Sequence, residues 1–243
     1  MLRHGLPNNR MRHLLLPILA LLLLAPGCKP KPPKAIVPPL PSVKMEDVSA
    51  PASVSVTIPR GSNLREVAAT AYGNEDFSGF VAALNGLADP ARVAAGAVLK
   101  TPSLPAALHD AGLDPAYQPA FNVLAQTWAE LRTALPDYER ERDLALHASG
   151  TRDNTTFAIS VPLSRRLLQC ADHIDAALDV LARPKKGHKM PSNTLGQFYG
   201  GSGMLRSFAT GRVGSLDYDM FMAEKGFGLG FTYALIWVKA HHQ

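Results

Sequence analysis

The chain has 243 residues, of which 47% are hydrophobic, so it is long enough for one or two domains with a buried core. Its formal net charge is +5, and residues 28–243 hold 22 basic and 20 acidic side chains. No stripe of basic residues interleaved with aromatic residues is present. We therefore expect no nucleic-acid partner.

The N-terminus has the pattern of a secretory signal peptide, which we assign to residues 1–27. Arg10 and Arg12 form a basic start, and the apolar run Leu14 to Leu24 follows. These eleven residues are too few to cross a hydrocarbon core of about 30 Å as a helix. Their number is typical of the apolar region of a signal peptide.

Residues 11–28 resemble the signal peptide of a bacterial lipoprotein. The matching motif is Leu24-Ala25-Pro26-Gly27-Cys28, which is similar to a lipobox. The resemblance implies cleavage before Cys28, fatty acids such as palmitate on that cysteine, and an exported protein anchored in the cell envelope. Lys29 stands where many inner-membrane lipoproteins carry Asp, so the analogy favours the outer membrane where two membranes exist. The alternative is an ordinary signal peptide with an incidental cysteine.

Residues 28–52 are predicted to form the lipidated cysteine and a proline-rich linker. Seven of the 24 residues from 29 to 52 are proline. Such a segment favours an extended polyproline II chain, with about 3.1 Å per residue, because proline interrupts helical hydrogen bonding. The linker is therefore expected to hold the following domain away from the membrane.

Residues 53–102 carry the pattern of a small βααβ unit. Alternating valine and isoleucine residues in 54–58 predict a strand. Apolar residues then recur at helical spacing in 64–72 and 77–84, and each of these segments is followed by a glycine that suits a helix C-terminus. An apolar pair in 98–102 predicts the return strand, which a proline ends.

This unit resembles a LysM domain, a βααβ module that binds glycans containing N-acetylglucosamine, such as peptidoglycan. The resemblance covers nearly all of residues 53–102. The motifs that carry it are, in order, Arg60-Gly61-Ser62-Asn63-Leu64, Tyr72-Gly73, Leu84-Asn85-Gly86-Leu87 and Gly96-Ala97-Val98-Leu99-Lys100-Thr101-Pro102.

The resemblance implies a shallow glycan groove between the loop after the first strand and the loop after the second helix. Backbone N–H and C=O groups in such a groove meet the N-acetyl amides. Gly61 and Leu64 also suit a turn and the core, and Ser62 or Asn63 can serve as the N-cap of the first helix. Glycan contact would be added to those roles. The implied glycan-binding residues are Gly61, Ser62, Asn63, Leu64, Gly86, Leu87, Ala88 and Asp89.

Residues 110–243 are predicted to form a mainly α-helical, bundle-like domain of no recognised family. Apolar residues at helical spacing from Phe121 to Leu135 and from Leu163 to Leu181 predict two long helices packed as an antiparallel pair. Pro136 is expected to break or kink the first. The apolar run Phe227 to Val238 is too short to span a membrane and is predicted to be a buried helix. The predicted fold class is therefore α+β.

Catalytic chemistry has little support in the sequence. Cys170 and His173 have the spacing of a nucleophile and its base on one helix face, but Cys170 falls on an apolar stripe. Glu130, Glu139 and Glu141 are carboxylates of the kind that glycosidic cleavage uses, although solvated helix faces explain them as well. A His-Glu-x-x-His zinc motif does not occur. We expect no catalytic residue, metal site or cofactor.

We therefore predict a non-catalytic, peptidoglycan-binding lipoprotein of the cell envelope that tethers or localises its helical domain. Its expected partners are peptidoglycan, a membrane through the lipid on Cys28, and envelope proteins through residues 110–243. Two alternatives stay open. One is a peptidoglycan hydrolase or hydrolase activator with its activity in residues 110–243. The other is a scaffold subunit of an envelope complex that binds protein and no glycan.

Overall fold

The computed structural model describes residues 39–42, 55–60, 62–88, 93–149, 157–183, 189–211 and 216–241. The signal peptide, the lipobox with Cys28 and most of the proline-rich linker lie outside these residues, as do Gly61 and Asp89 of the implied glycan site. The chain from Val37 to Gln243 forms one compact unit.

The described residues contain seven α-helices and two short strands, which confirms the α+β class in its coarse form. A 3₁₀ turn, Glu75–Phe77, precedes the second helix. In chain order the elements are β1 (Ser55–Thr57), α1 (Leu64–Tyr72), α2 (Ser78–Asn85), β2 (Val98–Lys100), α3 (Leu104–Asp110), α4 (Gln118–Ser149), α5 (Val161–Leu181), α6 (Ser192–Ala209) and α7 (Leu216–His241).

Strands β1 and β2 pair in an antiparallel manner, with Val56 opposite Leu99. Two backbone bonds continue the pairing beyond the strands: the N–H of Ile58 donates to the carbonyl of Ala97, and the N–H of Gly96 donates to the carbonyl of Ile58. Ile58 and Leu99 are both buried. The order of elements from β1 to β2 is therefore strand, helix, helix, strand, as the sequence predicts.

The ends of α1 and α2 follow from single residues. Asn63 is the N-cap of α1, and its side chain accepts from the N–H groups of Arg65 and Glu66. Gly73 and Gly86 end α1 and α2 at φ values of +82° and +66°. A side chain is strained in this left-handed region, so glycine is the residue that stops a helix there without cost.

Helix α4 does not break at Pro136, so the break, which is one of the two effects predicted for this proline, is wrong. It runs through 32 residues with the proline inside it. Pro136 is exposed, whereas Leu131, Leu135 and Tyr138 on the inner face are fully or almost fully buried. Packing on both sides of the proline therefore holds the two halves of the helix against one core. The backbone hydrogen bond that proline cannot donate lies on the solvent-facing side of the helix.

Helices α4 and α5 form the predicted antiparallel pair, joined by a polar network. Arg166 on α5 donates to Glu130 at 2.7 Å and to Asp137 at 2.9 Å. Nearer the start of α5, the backbone N–H and hydroxyl of Ser160 both donate to Glu141. Residues later in α4 therefore contact residues earlier in α5, as in an antiparallel pair.

Helix α7 contains the apolar run that the sequence predicts to be a buried helix. It packs against both the βααβ segment and the long helices. Phe231 of α7 lies within 6.3 Å, between ring centroids, of Phe77 and Phe80 from the βααβ segment and of Phe121 and Phe198 from α4 and α6. The sequence predicts two separate modules, 53–102 and 110–243. In the structure their described residues share a continuous hydrophobic core.

Candidate functional site

The first implied glycan loop is built as a helix start. Asn63 Oδ1 accepts from the N–H groups of Arg65 and Glu66 at 2.9 and 3.1 Å, and Asn63 Nδ2 donates to the Glu66 carboxylate. Leu64 is only 2% exposed and belongs to the core. Ser62 is half-buried and its N–H donates to the carbonyl of Pro59. The side chain of Asn63 is therefore committed to the start of α1.

The second implied loop is more open. Gly86 and Ala88 are exposed, and a side chain at Gly86 would meet no other atom within 4 Å. Leu87 packs partly against the core and its N–H donates to the carbonyl of Ala82. The backbone between Gly86 and Ala88 is therefore the more accessible part of the implied site.

Asn85 fixes where the second loop begins. Its side-chain amide donates to the carbonyls of Val81 and Lys100 and accepts from the N–H of Lys100 at 2.8 Å. Lys100 pairs with Ser55, whereas the first loop leaves β1 after Thr57. The first loop therefore leaves the sheet at the Thr57 end, and Asn85 holds the start of the second loop to the Lys100 end.

Helix α7 approaches the second loop through a lysine that the sequence analysis missed. Lys239 Nζ donates to the carbonyls of Ala83 and Leu84, at 2.6 and 3.1 Å, in the last turn of α2. Burial, and then the charge of Lys100, lower the pKa of Lys239. The signal in the sequence is a lysine that directly follows the apolar run Phe227 to Val238.

A cleft of about 320 Å³ opens between the βααβ segment, with its exit into α3, and helix α4. One wall is the end of α1 and the connection from β2 into α3, and the other is the first half of α4. Sequence patterns do not reveal this cleft, because its walls are brought together from positions 71–72, 101–105 and 122–132. Its lining includes Tyr72, Ser103, Asn122, Gln126, Trp128 and Arg132.

Two buried hydrogen bonds brace the floor of this cleft. The Trp128 indole N–H donates to the carbonyl of Tyr72 at 2.8 Å, and the Tyr72 hydroxyl donates to the carbonyl of Pro102 at 2.8 Å. Burial raises the pKa of the Tyr72 hydroxyl, so it stays protonated and remains a donor. The cleft is therefore preformed by contacts between the two parts of the chain.

Burial works against Cys170 and His173 as a nucleophile and its base. Cys170 is 1% exposed, and its burial, with the charge of Glu130 adding to the effect, raises the pKa of the thiol to about 12. Burial also lowers the pKa of His173. A cysteine nucleophile must be a thiolate near neutral pH, so this pair does not support cysteine-peptidase chemistry.

The three carboxylates weighed for glycosidic cleavage do not form a site either. Glu130 is paired with Arg166, and Glu141 accepts from Ser160. Glu139 is exposed and lies near Glu224, which is half-buried. Within the described part of the chain, no group of three or more His, Cys, Asp or Glu residues is placed to hold a metal ion.

Comparisons with protein-family models, curated proteins and solved structures found no match to this chain. Among the helices of the described residues, none combines the length and apolar character that a membrane span requires.

Proposed function

We propose that this protein is a non-catalytic, peptidoglycan-binding lipoprotein of the cell envelope, anchored through Cys28. It would position its helical part at the cell wall. The observation that carries the proposal is the strand–helix–helix–strand order with antiparallel pairing of β1 and β2. That arrangement supports the resemblance of residues 53–102 to a LysM domain.

The local geometry supports a role for the second loop in glycan contact. Gly86 and Ala88 are exposed, and the bonds of Asn85 to Lys100 hold the start of this loop in place. Fixed backbone dipoles suit a neutral glycan because its amides and hydroxyls offer hydrogen bonds and no charge.

A sedimentation assay with insoluble peptidoglycan tests the proposal. The mature chain, residues 28–243 with Cys28→Ala to remove the lipid, should co-sediment with the polymer. Ala88→Glu should reduce the bound fraction because it puts a bulky charge on the second loop. Ala240→Glu is the matched control, since Ala240 is also exposed but lies on α7. The proposal would be rejected if the chain with Cys28→Ala as its only change were recovered entirely in the supernatant.

The anchor and the lack of catalysis need separate measurements. Incorporation of a fatty-acid analogue should occur in the full-length chain and disappear in Cys28→Ala. Incubation of the mature chain with peptidoglycan should release no soluble fragments. Reproducible release that one substitution in residues 110–243 abolishes would instead favour the hydrolase alternative.

A scaffold subunit is the second candidate, and one observation favours it. The face of α2 is covered by α7, with Lys239 on the carbonyls of Ala83 and Leu84. A βααβ unit embedded in this way can serve to shape a protein-binding surface. Retention of the chain in an envelope complex after Ala88→Glu, together with a negative sedimentation assay, would favour this candidate.

A further inference from the structure

We propose that the cleft between the β2–α3 connection and α4 binds the stem peptide of peptidoglycan, with a peptide carboxylate on Arg132. The source of the peptide rests on the proposed function. The chemistry of the cleft is independent of it and follows from the lining residues.

The size and walls of the cleft suit a short peptide with small side chains. Its volume of about 320 Å³ lies at the small end of the range for ligand pockets. The apolar part of the walls consists mostly of small or rigid side chains, and a peptide with methyl side chains fits between such walls. These residues are Ala71, Pro102, Pro105, Ala125 and Ala129.

Two amide side chains, Asn122 and Gln126, line the cleft. Asn122 is 1% exposed, whereas Gln126 is exposed. Gln118 donates to Asn122 Oδ1 at 3.4 Å and to the carbonyl of Pro105 at 3.2 Å. These contacts fix the orientation of Asn122, which is therefore part of an ordered wall on which Gln126 is the exposed amide. An ordered wall lowers the cost of binding because less of it has to be immobilised.

Arg132 provides a cation at the edge of the cleft. Its guanidinium lies over Gly73, where a side chain on the glycine would overlap it. Arg132 forms no ion pair with any residue that the structure describes, whereas Arg140 on the same helix pairs with Asp137 at 2.8 Å. A planar guanidinium is suited to bind a carboxylate through two parallel hydrogen bonds.

The position of the cleft would also allow one peptidoglycan strand to reach both the cleft and the glycan loops. The first loop precedes the N-terminus of α1, and the cleft contains Ala71 and Tyr72 at its C-terminus. The two ends of this nine-residue helix are about 12 Å apart. Stem peptides branch from the glycan chain, so one strand could place sugars on the loops and a peptide in the cleft.

Titration followed by NMR of the tryptophan indole N–H signals tests this inference. The chain has two tryptophans, and Trp237→Phe assigns the signal of Trp128, which lines the cleft. The probe is the free tetrapeptide L-Ala-γ-D-Glu-meso-diaminopimelyl-D-Ala, added to the mature chain with Cys28→Ala. The Trp128 signal should shift with saturation, and the peptide with amidated carboxyl groups should bind at least tenfold more weakly.

Two variants locate the binding. Arg132→Gln should weaken binding of the tetrapeptide about tenfold. Arg140→Gln, on the same helix but outside the cleft, should change this affinity by less than twofold. Ala129→Phe should abolish binding by filling the cleft, and it should leave the fold intact because Ala129 is exposed. An unshifted Trp128 signal at millimolar peptide, or equal binding by Arg132→Gln, would overturn the inference.

Two further titrations separate this inference from the proposed function. Chito-oligosaccharide should shift the backbone signals of Gly86 to Ala88 and leave Trp128 unchanged. Glycan shifts without peptide shifts would overturn the inference alone, and peptide shifts without glycan shifts would overturn the glycan proposal alone. Equally strong binding of all-L Ala-Ala-Ala would overturn the stem peptide as the ligand, because it would point to protein C-termini.

Discussion

Lys239 and Ala83 join the last helix of the chain to the second helix of the βααβ segment, through a bond of 2.6 Å from the ammonium group to the carbonyl oxygen. The two residues are 156 positions apart. The same ammonium group also donates to the carbonyl of Leu84. A cation at a helix C-terminus interacts favourably with the helix dipole and with carbonyls that have no partner within the helix. This contact therefore fixes the position of α7 on α2.

Removing this cation should weaken the contact between α7 and α2. Lys239→Met keeps most of the apolar stem and removes the charged donor, so the free energy of unfolding should fall by about 1–2 kcal/mol. Lys189→Met is the control, since Lys189 is exposed and should change stability by less than about 0.5 kcal/mol. Urea unfolding of both variants measures the difference. Equal stability of the two would show that the Lys239 contact contributes nothing.

The sequence predicts local features of this fold well because they depend on neighbouring residues. Gly73 and Gly86 mark the ends of their helices, and Asn63 caps α1. These features follow from the geometry of one turn, which any sequence with those residue types would share. The antiparallel pairing of α4 and α5 also follows from two apolar stripes on helices that are consecutive in the chain.

The arrangement of the parts could not be predicted in the same way. The helical spacing of apolar residues shows that Phe77 and Phe80 face a core, but it does not show that Phe231 completes that core. The same limit explains the missed cleft and the absence of the predicted break at Pro136, since packing at Leu131 and Tyr138 outweighs the local cost of the proline. Contacts distant in the chain decide these points.

Glycines on α7 and α6 should respond in opposite ways to alanine. A Cβ at Gly228 would stand 2.6 Å from the backbone oxygen of Asp76, so Gly228→Ala should force α7 away from the 3₁₀ turn and cost about 1–3 kcal/mol. A Cβ at Gly200 would meet nothing within 4 Å, so Gly200→Ala should stabilise α6 by up to about 1 kcal/mol. Thermal unfolding of both variants provides the comparison. A stabilising Gly228→Ala would show that this close approach is not maintained in solution.

Glu224 should make the protein less stable as the pH rises towards neutrality. Burial raises the pKa of this carboxyl above 4.5, and the charges of Glu139 and Asp76 add to the effect. The folded state therefore binds more protons than the unfolded state between pH 4.5 and the raised pKa, and the free energy of unfolding falls as pH rises through that window. The neighbouring Asp76 has a pKa raised in the same direction, first by burial.

Glu224→Gln should therefore stabilise the protein at pH 7, by no more than about 1 kcal/mol because the site is partly open to water. The advantage should shrink as the pH is lowered to 5. Glu139→Gln should give a smaller gain of the same sign, since it removes one of the neighbouring charges. Urea unfolding at both pH values tests this expectation, and a variant that is less stable than the native chain at pH 7 would contradict it.

Cys170 should be chemically inert in the folded protein. With the pKa of its thiol raised to about 12 and its side chain 1% exposed, it has almost no thiolate at pH 8 and little access to reagents. In a chain with Cys28→Ala, Cys170 is the remaining cysteine, and its reaction with a thiol reagent should be at least about a hundredfold slower than after unfolding in urea. Rapid labelling of the native chain would contradict this and would reopen the cysteine-peptidase interpretation.

Cys170→Ala, by contrast, should lower stability by leaving a small cavity beside α4. It should have no effect on binding to peptidoglycan, because the glycan loops and the cleft do not include Cys170.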